Sequence, residues 1–123
     1  MTGFLFVCLG AGVGAPARYL VDRAVQSRHD SLLPWGTLLV NVVGSLVLGI
    51  LARLAVEHDV PTGVMLALGT GLCGALTTYS TFSYESLRLV EDGARLLALV
   101  NVVLTLTATL AAAALGYAVA GLV

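Results

Sequence analysis

The sequence predicts an all-α membrane protein, a single domain of residues 1–123 that contains four transmembrane helices. The first observation behind this prediction is composition: 59% of the 123 residues are hydrophobic, only 11% are charged, and the mean hydropathy is +0.99. So little polar surface does not enclose a water-soluble domain of this size. The second is that four stretches contain no Asp, Glu, Lys or Arg, namely 1–17, 31–52, 60–84 and 96–123. A spanning helix needs about 20 predominantly apolar residues, so we expect spans near 3–22, 32–54, 61–90 and 95–121, set in the cell membrane.

The first span carries small residues at helical spacing. Gly10 and Gly14 form a GxxxG pattern, which lets two membrane helices approach closely. The segment lacks the basic residues that precede the apolar core of a signal peptide, so we expect a retained helix with a packing role.

The second span contains a single amide, Asn41, about a third of the way along it. An unpartnered amide at this depth is strongly unfavourable. Asn41 must therefore form hydrogen bonds, either with a neighbouring helix or with a species inside a pore.

The third span is the least typical of a membrane helix. Residues 69–83, with the sequence GTGLCGALTTYSTFS, include three glycines and seven hydroxyl-bearing residues. In lipid every backbone polar group needs an internal partner, so such residues cluster mainly where a helix is broken and lines a buried or aqueous site. We therefore expect the third helix to be broken near its middle, and the function to depend on this segment.

The fourth span is predicted to be mainly a packing helix. Its alanine run at 111–114 and Gly116 supply small residues for close contact. Thr105, Thr107 and Thr109 recur at a spacing of two, so they cannot all lie on one face of a helix. At most two of them can line a pore.

Enzymatic chemistry is not expected. Cys8 and Cys73 lie in different spans, and His29 and His58 lie in loops without ligand spacing to one another or to the cysteines. No span contains a Ser–His–Asp set or paired carboxylates. A net charge of −1 gives no basis for nucleic-acid binding.

The arginines predict an orientation. All six basic residues are arginines; five of them flank the first and third connections, and Arg53 alone lies near the second. By the positive-inside rule, the side with five arginines is cytoplasmic and both termini lie outside.

Three sequence blocks together resemble one known family. The blocks GAGVGAPARY (10–19), PWGTLLVNVVGSLVLG (34–49) and GLCGALTTYSTFSYE (71–85) are similar to the signature blocks of the Fluc (CrcB-type) fluoride channels in order, spacing and overall length. The resemblance implies passive fluoride export that lowers cytoplasmic fluoride. It also implies an antiparallel, dual-topology dimer in the lipid bilayer, with two pores and a structural sodium ion at the dimer axis.

The resemblance also implies roles for individual residues. Gly74 and Thr77 match the positions whose backbone carbonyls bind sodium. Arg18 matches a vestibule arginine, and Glu85 matches an acidic position to which we assign no role. The positions implied along the fluoride pore are Asn41, Tyr79, Ser80, Thr81, Phe82 and Thr105. Tyr79 stands where the family usually has phenylalanine, and its hydroxyl either bonds a neighbouring threonine or contacts the ion.

Two alternatives remain open at this point. A small multidrug-resistance-like transporter also has four spans and dimerises, but needs a membrane-embedded glutamate that the first span lacks. A non-conducting membrane assembly subunit would use the polar third span only for packing. The arginine bias, in turn, leaves open whether the dimer is a homodimer or a heterodimer with an oppositely oriented relative.

Overall fold

The protein is all-helical, as the computed structural model of residues 1–123 shows. Four apolar segments are long enough to cross a membrane, which confirms the predicted number of spans: Thr2–Arg28, Trp35–Glu57, Thr62–Glu91 and Arg95–Ala120. The helices within them are α1 (Thr2–Arg28), α2 (Trp35–Glu57), α3 (Thr62–Val64), a π-helix (Met65–Cys73), α4 (Gly74–Leu76), α5 (Ser80–Glu91) and α6 (Arg95–Ala120).

Proline and glycine mark the connections between spans. Pro34 immediately precedes α2 and Pro61 immediately precedes α3, where a fixed φ and a missing N–H cost a helix little. Gly93 has a φ of +83°, the left-handed conformation that favours glycine, and it turns the chain between α5 and α6. The connections are therefore short, and consecutive spans run antiparallel.

The first and third spans pack through glycine. A methyl group at Gly10 would overlap the Ala67 carbonyl, and one at Gly14 would overlap the Leu72 carbonyl. Gly12, between them, has open space around it. The GxxxG face of α1 is therefore its packing face against the third span, where the two backbones lie in direct contact.

The second and fourth spans form the other close pair, and they run parallel. A methyl group at Gly49 would overlap the Ala113 carbonyl, and one at Gly116 would overlap the Leu46 carbonyl. Farther along, the Arg53 guanidinium lies 5.0 Å from the centre of the Tyr117 ring. Small residues thus set the register between α2 and α6.

The third span departs from regular α-helix in two places. Nine residues, Met65–Cys73, form a π-helix, which the sequence did not predict; this conformation is rare and is frequently found at functional sites. Thr77 then adopts an extended conformation, with ψ 159°, and regular helix resumes only at Ser80.

Large apolar side chains lie mostly on the outside. Phe4 is 72% exposed and Leu110 is 71% exposed, whereas the buried positions include Thr37, Asn41, Thr78, Asn101 and Thr105. This arrangement places polar groups inside and leaves the apolar surface facing outward, as expected for a chain surrounded by lipid.

Candidate functional site

The site is organised around the non-helical residues 77–79 and the amide of Asn41. Asn41 lies on α2, and its Nδ2 donates to the Thr78 carbonyl at 3.0 Å. Its Oδ1 accepts a hydrogen bond from the Thr78 N–H at 2.7 Å. Both residues are buried, so this pair of bonds satisfies the N–H and the carbonyl of Thr78, which no helical bond satisfies.

The four carbonyl oxygens of residues 74–77 receive no backbone N–H beside the break, and those of Gly74 and Thr77 are the two that the resemblance singles out. The N–H that would bond the Gly74 carbonyl in a continuous helix is that of Thr78, which donates to Asn41 instead. The Thr77 carbonyl likewise receives no backbone N–H, but Arg18 Nη1 donates to it at 3.3 Å. Gly74 is exposed, with open space beside its Cα.

These carbonyls are the groups best suited to hold a hard cation. No group of three or more His, Cys, Asp or Glu side chains is placed to bind a metal. Carbonyl oxygens freed from a helix are suitable ligands for such ions. Gly74 and Thr77, the two positions that the resemblance implies, line the same cavity, and Arg18 already occupies one side of the Thr77 oxygen.

Hydroxyl-bearing residues lie just before α5 and in its first turn. Thr78 Oγ1 accepts from the Thr81 N–H at 3.2 Å, as a helix-capping side chain does, and donates to Thr81 Oγ1 at 3.0 Å. Ser80 Oγ lies 3.4 Å from the same Thr78 hydroxyl and is exposed. Thr81 accepts the bond from Thr78, so its own hydroxyl proton stays free.

A cavity of about 340 Å³ opens between α2, the third span and α6, and we call it the main cavity because it adjoins the break in the third span. It is lined by four of the six residues predicted along the pore, namely Asn41, Tyr79, Phe82 and Thr105. The Tyr79 and Phe82 ring centres are 6.1 Å apart, and the rings are tilted by 48°. Ser80 and Thr81 do not line this cavity.

Arg18 and Thr81 face a second, smaller cavity of about 160 Å³, which Asp22, Thr37 and Thr78 also line. Thr78 lines both cavities, so the two meet at the interrupted segment. Arg18 lies within the protein at this level rather than in the loop.

Glu85 lies one helical turn beyond Thr81 and faces a third cavity, of about 450 Å³, near the first and third connections. Thr37 Oγ1 donates to Glu85 Oε1 at 2.9 Å, while Oε2 is buried without a partner. Asp22, which packs against Gly36, also has one buried oxygen without a partner.

Two features of the site were not predicted: the bonding partner of Asn101 and the position of Ser45 in the cavity wall. Asn101, which is buried, donates to Ser86 Oγ at 2.9 Å, and Ser86 in turn donates to the Phe82 carbonyl at 2.8 Å, so α6 is tied to the turn that carries Phe82. Ser45 also lines the main cavity. Its position four residues after Asn41, on the same face of α2, was the signal that could have revealed it.

Comparisons with known proteins agree with one another over most of the chain. A family model described as "CrcB-like protein, Camphor Resistance (CrcB)" matches residues 5–117. A relative from Frankia casuarinae, named fluoride-specific ion channel FluC 1, is 57% identical over 122 residues, or 95% of each chain. A relative of the same name from Streptomyces avermitilis is 55% identical over 113 residues, covering 92% of this chain and 91% of its own. One from Shewanella woodyi, named fluoride-specific ion channel FluC, is 43% identical over 106 residues and covers 86% of each chain. The resemblance carried by the three sequence blocks is thereby confirmed, and the chain belongs to the CrcB family.

Proposed function

We propose that the protein is a fluoride-specific ion channel that lets fluoride leave the cytoplasm passively across the cell membrane and so limits fluoride toxicity. The observation that carries this proposal is the character of the main cavity. Besides leucine, glycine and cysteine residues, amide, hydroxyl and aromatic groups line it, and it contains no charged side chain. Family membership and the names of the relatives support the same function.

The chemistry of fluoride explains why such a lining is suitable. Fluoride is small and strongly hydrated, so a pore that removes its water must replace the lost hydrogen bonds and still release the ion. Neutral donors do this without the strong attraction of a fixed cation. Aromatic ring edges carry partial positive charge, so Tyr79 and Phe82 can border an anion without trapping it.

Donors remain available on the cavity wall. The Asn41 amide has two N–H bonds, and only one of them is used by Thr78, which leaves the other for an ion. Thr105 is buried against the cavity, and its hydroxyl donates to no acceptor in the chain. Ser80 and Thr81 would continue the hydroxyl lining past the interrupted segment. Arg18 would raise the local concentration of anions at the adjoining cavity.

We further propose that two subunits assemble into a dimer. We place the break of the third helix, residues 77–79, at the axis of a dimer whose subunits are inserted in opposite orientations, either as a homodimer or with an oppositely oriented relative. Tyr79 is 80% exposed and Gly74 faces open space, so both are accessible to a second subunit. A sodium ion held by the Gly74 and Thr77 carbonyls would neutralise the carbonyl oxygens gathered there.

Passive conduction fits better than proton-coupled transport. A multidrug-resistance-like exchanger needs a carboxylate inside its transport site. The main cavity has none, and Glu85 lies elsewhere, hydrogen-bonded to Thr37. A non-conducting assembly subunit is disfavoured because the relatives of this chain are named as ion channels.

Growth of bacteria that lack their own fluoride export tests the physiological role. Cells producing the protein should grow at fluoride concentrations that stop cells carrying an empty vector. Equal sensitivity of the two strains, with the protein present in the membrane, would contradict the proposal.

A further inference from the structure

We infer that Ser45 is a further fluoride-binding residue, whose hydroxyl donates to the ion one helical turn along α2 from Asn41. This inference rests on the proposed channel function and concerns a residue for which neither the sequence motifs nor the resemblance implied a role. Its basis is the hydrogen bonding of the hydroxyl groups in the spans.

Hydroxyl side chains in apolar helices usually donate to a carbonyl of their own helix, three or four residues earlier. Five residues in the four spans do so: Ser27, Thr77, Ser86, Thr107 and Thr109. Ser45 is an exception, because its Oγ has no hydrogen-bond partner in the chain, although the residue is only partly exposed. Its oxygen is also not among the fully occluded, unpartnered atoms. The hydroxyl therefore opens into the main cavity with its proton unused.

The register of α2 against α6 shows which other hydroxyl faces the cavity at the level of Ser45. The contact of Gly49 with Ala113 places Ser45 level with Thr109, because each lies four residues earlier on parallel helices. Thr109 donates to the Thr105 carbonyl at 2.7 Å, so its proton is already used. Of the two hydroxyls that face the cavity at this level, only Ser45 can donate to an anion.

Ser45 thus provides a second hydrogen-bond donor on α2, after Asn41, along the wall of the main cavity. Asn41 and Ser45 are separated by one turn, about 6 Å along α2, and both line the same cavity. A dehydrated ion that left Asn41 would find its next donor at Ser45. Without that hydroxyl, the wall at this level is formed by apolar groups and by Thr109, which offers no free proton.

Fluoride efflux from liposomes containing the purified dimer tests the inference. Ser45→Ala should lower the efflux rate at least about tenfold, the effect of losing one hydrogen bond to a charged group. Thermal stability should be unchanged, because the Ser45 hydroxyl makes no bond within the chain. Thr107→Val is the matched control: it also removes one hydroxyl, but Thr107 donates to its own helix and lies outside the cavity, so efflux should match wild type.

The outcomes separate this inference from the channel proposal. Wild-type efflux no faster than that of empty liposomes would overturn the channel itself. Wild-type efflux with an equal rate for Ser45→Ala would overturn only the role of Ser45, as would an equal loss in Thr107→Val. If Ser45→Ala does not yield a dimer, Ser45→Cys keeps the size of the side chain but is a weak donor. It should then lower efflux at least about threefold, and an unchanged rate would refute the assignment.

Discussion

The side chain of Asn41 is bonded to both polar groups of Thr78: its Nδ2 donates to the Thr78 carbonyl at 3.0 Å, and its Oδ1 accepts from the Thr78 N–H at 2.7 Å. One amide from α2 thereby replaces the two helical bonds that the third span loses at this residue. Asn41 also lines the main cavity, so the residue that holds the interrupted segment in place is in contact with the proposed ion path.

Asn41→Ala should therefore reduce both stability and conduction. It leaves a buried N–H and a buried carbonyl without partners, at a cost of about 3 kcal/mol, and the thermal midpoint of the detergent-solubilised protein should fall. Fluoride efflux should fall as well, because one donor is lost and the segment that carries Tyr79 is released.

Asn101→Ala provides the comparison. It removes one hydrogen bond, to Ser86, instead of two, so its thermal midpoint should fall by less. A thermal midpoint for Asn41→Ala at or above that of Asn101→Ala would contradict the assigned role of Asn41 in holding the third span.

Two alanine substitutions in α1 should have opposite outcomes. Gly10→Ala places a methyl group onto the Ala67 carbonyl, so the backbones of α1 and the third span must separate, at a cost of about 1–3 kcal/mol. Gly12→Ala enters open space and should change stability by less than about 0.5 kcal/mol. Thermal unfolding in detergent and the yield of monodisperse protein measure the difference. Equal stability of the two variants would show that the glycine contact does not hold the spans together.

Tyr79→Phe should leave stability unchanged, because Tyr79 is 80% exposed and its hydroxyl forms no hydrogen bond within the subunit. Efflux should also stay within about twofold of wild type, since the ring edge is retained. Tyr79→Leu removes the aromatic edge and should reduce efflux much more. If Tyr79→Phe lowered efflux as much as Tyr79→Leu, the hydroxyl and not the ring would be the group that contacts the ion.

A single orientation in the membrane is expected from the charges. Arg53, the only arginine near the second connection, is ion-paired with Glu57, and the remaining arginines lie toward the other side or inside the protein. This pairing leaves the bias toward a cytoplasmic first connection unopposed.

Membrane-impermeant thiol labelling of intact cells measures the orientation. In a Cys8→Ala background, Asp59→Cys in the second connection should react from outside. Ser31→Cys in the first connection should react only after the cells are permeabilised. Similar labelling of both sites in intact cells would instead mean that the chain inserts both ways and can form an antiparallel homodimer by itself.

Much of the architecture could be predicted from local sequence, and the parts that could not depend on partners distant in the chain. Four charge-free stretches were sufficient for the four spans, because the bilayer sets the length of an apolar helix. The rule that a buried amide needs a partner predicted that Asn41 is bonded, but not that its partner is the Thr78 peptide, 37 residues away.

The features that could not be predicted involve backbone register and free protons. The π-helix Met65–Cys73 has no marker in the sequence, since its apolar residues and glycines also suit an α-helix. The sequence predicted that at most two of the three threonines in the fourth span can face a pore, and Thr105 and Thr109 line the cavity. That Thr109 uses its proton on its own helix, whereas Ser45 does not, depends on side-chain geometry.

Anion efflux from liposomes distinguishes a fluoride-specific channel from a non-conducting or non-selective protein. The protein is purified from its own membrane, together with any partner subunit, and reconstituted into liposomes loaded with potassium fluoride or potassium chloride. A potassium ionophore then allows anions to leave without a proton gradient. We predict rapid fluoride efflux, much faster than from empty liposomes, and chloride efflux at the level of empty liposomes. Fluoride efflux no faster than from empty liposomes would contradict the channel function. Equal efflux of the two anions would contradict its specificity for fluoride.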